Sequence, residues 1–149
     1  MKKRKTYIVV TALFILYIIV VLCLCLMNFS EKTPVLPQYI FGIPTDKAGH
    51  FIMFLAYPFA SWLMFTYNKI LKMRRSFVFP TIILTGLVFA AFTETAQGLF
   101  TTYREPDNMD FVADTIGILS CTFFIWAFQK PLKKLFDNLQ LYFHRVLYK

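Results

Sequence analysis

The chain has 149 residues, of which 58% are hydrophobic and only 16% charged, and 18 are phenylalanine. A soluble domain of this size needs a far larger polar surface, so the composition excludes a soluble globular protein and indicates a membrane protein. The formal net charge of +8 does not indicate a nucleic-acid partner, because basic residues beside apolar helices are better explained by membrane topology and anionic lipid.

Four apolar segments are long enough to span a hydrocarbon core about 30 Å thick at about 1.5 Å per residue. They cover residues 7–27, 48–67, 77–100 and 111–128. The first is longer than the roughly 7–15 residues of a signal-peptide core, so we expect it to be retained. The fold class predicted from these spans is an all-α polytopic membrane protein with a four-transmembrane-helix bundle over residues 1–129.

Basic residues are concentrated on one side of these spans. Thirteen of the sixteen lysines and arginines lie before the first span, between the second and third, or after the fourth. The positive-inside rule then predicts that both termini are cytoplasmic and that two loops are outside.

The segment 130–149, KPLKKLFDNLQLYFHRVLYK, has apolar residues at three- and four-residue steps with basic residues between them. This pattern predicts a separate amphipathic helix on the inner membrane surface. A cytoplasmic helix that binds a partner protein fits the same pattern.

Acidic residues are concentrated at the opposite, outer end of the predicted bundle. Three polar pairs there have the spacing of one helix face. They are Asp46 with His50, Glu94 with Gln97, and Asp110 with Asp114. Because the second helix runs inward, the third outward and the fourth inward, we expect the three faces to meet at one level, with Arg104 in the loop above them.

Each of these residues also has a structural explanation. Asp46, Asp107 and Asp110 are placed where an acid caps a helix start, and Lys47 could extend to the headgroups. Glu94 and Asp114 lie deeper, where a charge near the helix centre costs ~2.5–3.5 kcal/mol, so we expect them to face the bundle interior. A buried network that only holds the helices together is the competing explanation.

Polar residues recur in a fixed order along DKAGHFIMF and ETAQGLFTTYREPDNMDFVADTIG. The order is D-K-x-x-H at a helix start, E-x-x-Q, an Arg ten residues after that Glu, an Asp six after the Arg, and then a Gly. The matching residues are Asp46, Lys47, His50, Glu94, Gln97, Arg104, Asp110 and Gly117. From Asp46 to about Ser120 the chain resembles the VanZ-like family of small bacterial membrane proteins.

This resemblance implies a multi-pass protein of the bacterial plasma membrane. The family is named after an accessory of resistance to the glycopeptide teicoplanin, and the resemblance implies no established reaction. One departure matters: where the family usually has Asn, this chain has Asp114, which adds an acid and puts a neutral role for that position in doubt.

Together these features predict an outward-facing polar pocket for an amphiphilic envelope molecule, such as a polyprenyl-linked precursor, a lipid or a lipoglycopeptide. The protein binds this molecule and, if it is an enzyme, processes it. The candidate catalytic residues are Glu94, His50, Asp110 and Asp114, and the candidate binding residues are Arg104, Lys47, Asp46 and Gln97. Glu94 is the natural general acid or base with His50 as its partner, and Arg104 suits a phosphate or carboxylate.

The charge of this pocket raises a difficulty for an anionic ligand. It has six acids and two bases, a formal charge of −4 with His50 neutral. The residues counted are Asp46, Lys47, Glu94, Arg104, Glu105, Asp107, Asp110 and Asp114. A divalent cation held by Glu94, Asp110 and Asp114 would offset the repulsion, because carboxylates suit Mg²⁺, Ca²⁺ or Mn²⁺.

Two other functions are weighed against the pocket. In one, the chain is a non-catalytic membrane scaffold or partner-binding protein, and the polar cluster is structural. In the other, it moves protons or a small solute. Transport ranks last, because four helices leave little room for a pathway and the inner halves of the helices lack matching ionisable residues, although a homodimer could supply them.

Overall fold

The computed structural model describes residues 2–27, 37, 39–68, 73–101 and 107–147. Four helices account for nearly all of these residues: α1 (Lys2–Leu26), α2 (Thr45–Tyr67), α3 (Arg75–Phe100) and α4 (Asn108–Leu147). A short antiparallel pair of strands, β1 (Tyr39–Ile40) and β2 (Ile43–Pro44), leads directly into α2. Helix α2 continues through Pro58, although proline has no backbone N–H to donate within the helix.

All four helices contain a segment long and apolar enough to cross a membrane. The segments are Thr6–Leu26, Thr45–Tyr67, Ser76–Phe100 and Asn108–Tyr142. Large apolar side chains such as Leu13, Leu84 and Phe123 are exposed on the outside of the bundle, as expected for a surface that faces lipid. The prediction of an all-α, multi-pass membrane protein is confirmed at this level, and the side on which the termini lie stays a prediction.

The fourth helix is much longer than the predicted span of residues 111–128. It continues past Pro131, and its extension packs on the bundle: the Phe136 ring lies 5.6 Å from that of Phe59, and Asp137 accepts a hydrogen bond of 2.9 Å from the Tyr67 hydroxyl. The predicted tail helix is therefore the continuation of α4. Its location on the inner membrane surface stays a prediction.

Helices α2 and α4 touch backbone to backbone at Gly117. A Cβ on this residue would lie 2.7 Å from the carbonyl oxygen of Phe51 and 2.9 Å from the backbone nitrogen of Leu55. Only glycine lets two helix backbones come this close. Since Gly117 follows Asp114 by three residues, the contact also holds Asp114 against the start of α2.

We expect Gly117→Ala to lower the free energy of unfolding by roughly 1–3 kcal/mol, because the added methyl group meets rigid backbone atoms. Gly49→Ala is the matched control, since a Cβ on Gly49 has nothing within 4 Å and alanine favours the helix by about 0.5–1 kcal/mol. Both values are measured by denaturant unfolding of the full-length protein in detergent micelles. Equal stability of the two variants would contradict the close contact.

Candidate functional site

Three helix ends meet at one end of the bundle and bring four ionisable side chains together. His50 comes from the second turn of α2, Glu94 from near the end of α3, and Asp110 and Asp114 from the start of α4. All four are buried, with exposed fractions of 7% or less. We call His50, Glu94, Asp110 and Asp114 the buried cluster.

The His50 ring lies among the three carboxyl groups of the buried cluster. Its Nδ1 donates to Oδ1 of Asp114 over 3.1 Å, and the same nitrogen lies 3.5 Å from Oε1 of Glu94. On the other side of the ring, Nε2 lies 3.7 Å from Oδ2 of Asp110. Because an ionised carboxylate only accepts hydrogen bonds, the contact with ionised Asp114 requires the proton on Nδ1, and in the neutral ring Nε2 then carries the lone pair.

Three atoms of the buried cluster have no hydrogen-bond partner among the described residues. They are Nε2 of His50, Oε1 of Glu94 and Oδ2 of Asp114. Most buried polar atoms in folded proteins are hydrogen-bonded, because an unpaired one costs free energy. The buried cluster therefore has capacity for a proton, a cation or a polar ligand group that its own side chains do not supply.

Lys47 lies above the buried cluster and joins α2 to the start of α4. Its Nζ is 2.6 Å from Oδ2 of Asp107, 2.9 Å from Oδ1 of Asp110 and 3.5 Å from Oδ2 of Asp46. The hydrogen bond from Lys47 lowers the pKa of the Asp107 carboxyl, which is therefore ionised near neutral pH. The amine thus lies among three acids.

Asp107 connects Lys47 to the buried cluster and also caps α4. Its Oδ1 accepts from the backbone N–H of Met109 over 2.8 Å, and its own N–H donates to Oε2 of Glu94 over 3.2 Å. The capping explanation therefore holds for Asp107. At α2 the N-cap is Pro44 and no side chain caps it by a hydrogen bond, but Asp46 lies in the first turn, where an acid interacts favourably with the helix dipole.

The remaining sequence candidates lie apart from the buried cluster or outside the described residues. Gln97 is buried, but its Nε2 donates over 3.0 Å to the carbonyl oxygen of Cys25, so it ties α3 to the end of α1. Arg104 and Glu105 fall in 102–106, which lies outside the described residues. The charge offset expected from Arg104 is therefore not part of the described geometry.

A cavity of about 520 Å³ lies between the end of α3 and the start of α4. Glu94 and Asp107 line it, together with the apolar side chains of Ala91, Leu99 and Phe111. Glu94 is the member of the buried cluster that lines it. The sequence did not indicate the apolar lining of this cavity, because these apolar residues have no pattern that separates them from lipid-facing ones.

Comparison of the chain with protein-family models, with curated proteins and with solved structures finds no match. The VanZ-like resemblance consequently rests on the motif residues alone and stays an expectation. The function proposed below rests on the geometry of the buried cluster and the cavity.

Lys47→Gln should lower the free energy of unfolding by roughly 1–3 kcal/mol, because it leaves the buried Asp110 without its cation. Adding Asp110→Asn should recover part of this loss, giving a coupling energy of about 0.5–3 kcal/mol between the two sites. Unfolding in detergent micelles measures all three variants.

Lys134→Gln is the control for this cycle, since Lys134 is exposed on α4 and its loss should change stability by no more than about 0.5 kcal/mol. Purely additive effects of the Lys47 and Asp110 substitutions would show that their contact contributes nothing to stability.

Proposed function

We propose that the chain is a VanZ-like protein of the bacterial plasma membrane that binds the polar head of an amphiphilic cell-envelope molecule. The observation that carries this proposal is the cavity between α3 and α4, where carboxyl groups and apolar side chains lie side by side. Ligand sites are typically apolar cavities with a few convergent polar groups. A molecule with one polar and one apolar end matches such a lining.

The position of the cavity supports entry from the lipid. Its apolar edge includes Leu99, which is 73% exposed, and the neighbouring Phe100 is 76% exposed at the end of α3. In a bilayer these side chains contact acyl chains near the interface. A lipid tail could therefore stay in the membrane while its head reaches Glu94.

Glu94 is the member of the buried cluster that a bound head would contact. It lines the cavity, whereas His50 lies behind it, 3.5 Å from its Oε1. This arrangement suits a general acid or base whose proton is shared with a second group. In the enzymatic version of the proposal Glu94 is the catalytic residue, and His50 with Asp114 is the positioning pair.

A non-catalytic scaffold is the second candidate function. It is favoured by the contacts of Lys47 with Asp46, Asp107 and Asp110, which join two helices without any ligand. In that case the polar residues are a strut, and conservative changes such as Asp110→Asn should leave function intact. The cavity would then be a gap between helices that binds nothing.

Filling the cavity tests ligand binding without touching the ionisable residues. Ala91→Trp should weaken the binding of a polyprenyl phosphate or of teicoplanin at least 10-fold, about 1.4 kcal/mol, because the indole takes the space of the ligand. Binding is measured by calorimetry on the full-length protein in lipid nanodiscs.

The matched control is Ala127→Trp, which adds the same ring at an exposed alanine on α4 and should bind as the unaltered chain does. Cells that express each variant at equal membrane abundance are then tested for teicoplanin susceptibility. Absence of binding of both probes to the unaltered chain, or equal binding by the two tryptophan variants, would reject the proposal.

A further inference from the structure

We infer that the buried cluster is a binding site for one divalent metal ion, with His50, Glu94 and Asp110 as its ligands and Asp114 as the partner that orients His50. The ion class is the one that accepts both imidazole and carboxylate, represented by Zn²⁺ and Mn²⁺. This goes beyond the proposed function, because metal binding stands whether or not an amphiphile binds.

The distances between the three ligands suit a single ion. His50, Glu94 and Asp110 each offer one ligand atom, and these atoms all lie within 4.8 Å of one another. The ligand atoms of one tetrahedral ion, at bond lengths of about 2.0–2.2 Å, lie ~3.3–3.6 Å apart. The separation of 3.7 Å between Nε2 of His50 and Oδ2 of Asp110 is close to that value, and Oε1 of Glu94, which lies 3.5 Å from Nδ1 of the same ring, would turn towards Nε2 to complete the set.

The atoms without partners are the ones that a metal would use. Nε2 of His50 is buried and has no hydrogen-bond partner in the described part of the chain, and the same is true of Oε1 of Glu94. In the neutral ring, the lone pair of Nε2 lies opposite a carboxylate oxygen of Asp110, which is a repulsive arrangement unless a proton or a cation lies between them. A metal ion satisfies the nitrogen and the oxygen together.

Asp114 supplies the support that metal-bound histidines usually have. A ligating histidine donates its other N–H to a carboxylate or a carbonyl, which fixes the tautomer and the direction of the ring. The bond of 3.1 Å from Nδ1 of His50 to Asp114 is that contact. Asp114 would therefore favour metal binding without being a ligand itself.

The neighbouring acids provide a contrast within the same site. Asp46, Asp107 and Asp110 also place three carboxylate oxygens within 4.8 Å of one another, but the Lys47 ammonium lies among them at 2.6–3.5 Å. Their charge is therefore already offset in part. In the buried cluster Lys47 reaches only Oδ1 of Asp110, and neither Glu94 nor Asp114 has a lysine or arginine among its described contacts, so a divalent ion offsets the remaining charge most directly.

The donor set selects the ion. Carboxylates alone suit Mg²⁺ and Ca²⁺, whereas an imidazole ligand shifts the preference to transition metals and zinc. The structure uses Asp114 to hold His50, so the set becomes one imidazole and two carboxylates in place of the three carboxylates expected from the sequence. Mg²⁺ should consequently compete poorly with Zn²⁺.

The experiment loads the chelator-treated, full-length protein with Zn²⁺ in lipid nanodiscs and measures bound zinc per chain and the dissociation constant. We expect one Zn²⁺ per chain, little competition by excess Mg²⁺, and at least 10-fold weaker binding in His50→Ala and in Asp110→Asn. Asp114→Asn should weaken binding by about 10–100-fold, as loss of an orienting partner does.

His144→Ala is the matched control, because His144 is the other of the two histidines and its loss should leave zinc binding unchanged. A second measurement avoids variants that fold poorly: saturating Zn²⁺ should raise the unfolding temperature of the unaltered chain, and X-ray absorption should show one imidazole in the zinc shell. Zinc binding that is absent from the unaltered chain, or kept in His50→Ala, would overturn the inference.

The outcome for zinc binding can be distinguished from the outcome for the proposed function. Zinc binding without binding of polyprenyl phosphate or teicoplanin would keep the metal site and reject the amphiphile. Binding of either amphiphile to the metal-free protein, with no zinc bound under any condition, would keep the proposed function and reject the metal site.

Discussion

The polar end of this bundle depends on the contact between α2 and α4 at Gly117. Because no side chain separates the two backbones there, Asp114 reaches His50 with a direct hydrogen bond. A wider spacing would leave both groups buried without each other, at a cost of about 1–3 kcal/mol or more for each unpaired group. One glycine therefore sets the geometry of residues that lie a full turn away from it.

The polar residues at this end fall into two layers with different charge balance. In the upper layer, Lys47 contacts Asp46, Asp107 and one oxygen of Asp110 and offsets part of their charge. In the lower layer, His50 is shared by three carboxyl groups, and three polar atoms have no partner among the residues that the structure describes. Burial of polar groups in a membrane bundle is costly, so the lower layer is the part of the molecule where an additional charged species stabilises the fold most.

This imbalance connects the two proposals. Glu94 lies between the buried cluster and the cavity, since it contacts His50 and also lines the space between α3 and α4. A cation bound beside it would turn a region that repels anions into one that attracts a phosphate or carboxylate head. The acidic residues that would repel an anionic ligand would then hold the cation that binds it.

The amino-acid sequence by itself determined the membrane class, the four helices and the helical spacing of the acidic pairs, because apolar length and three- or four-residue steps are properties of a single helix. Only the tertiary structure decided which faces meet. Gln97 shares a face with Glu94 but bonds to Cys25, the backbone of Asp107 bonds to Glu94, and α4 continues through Pro131 to pack Phe136 on α2. Spacing along one helix cannot give the rotation of that helix about its axis or its distance from a neighbour. Those are set by how the helices pack, and here above all by the missing side chain of Gly117.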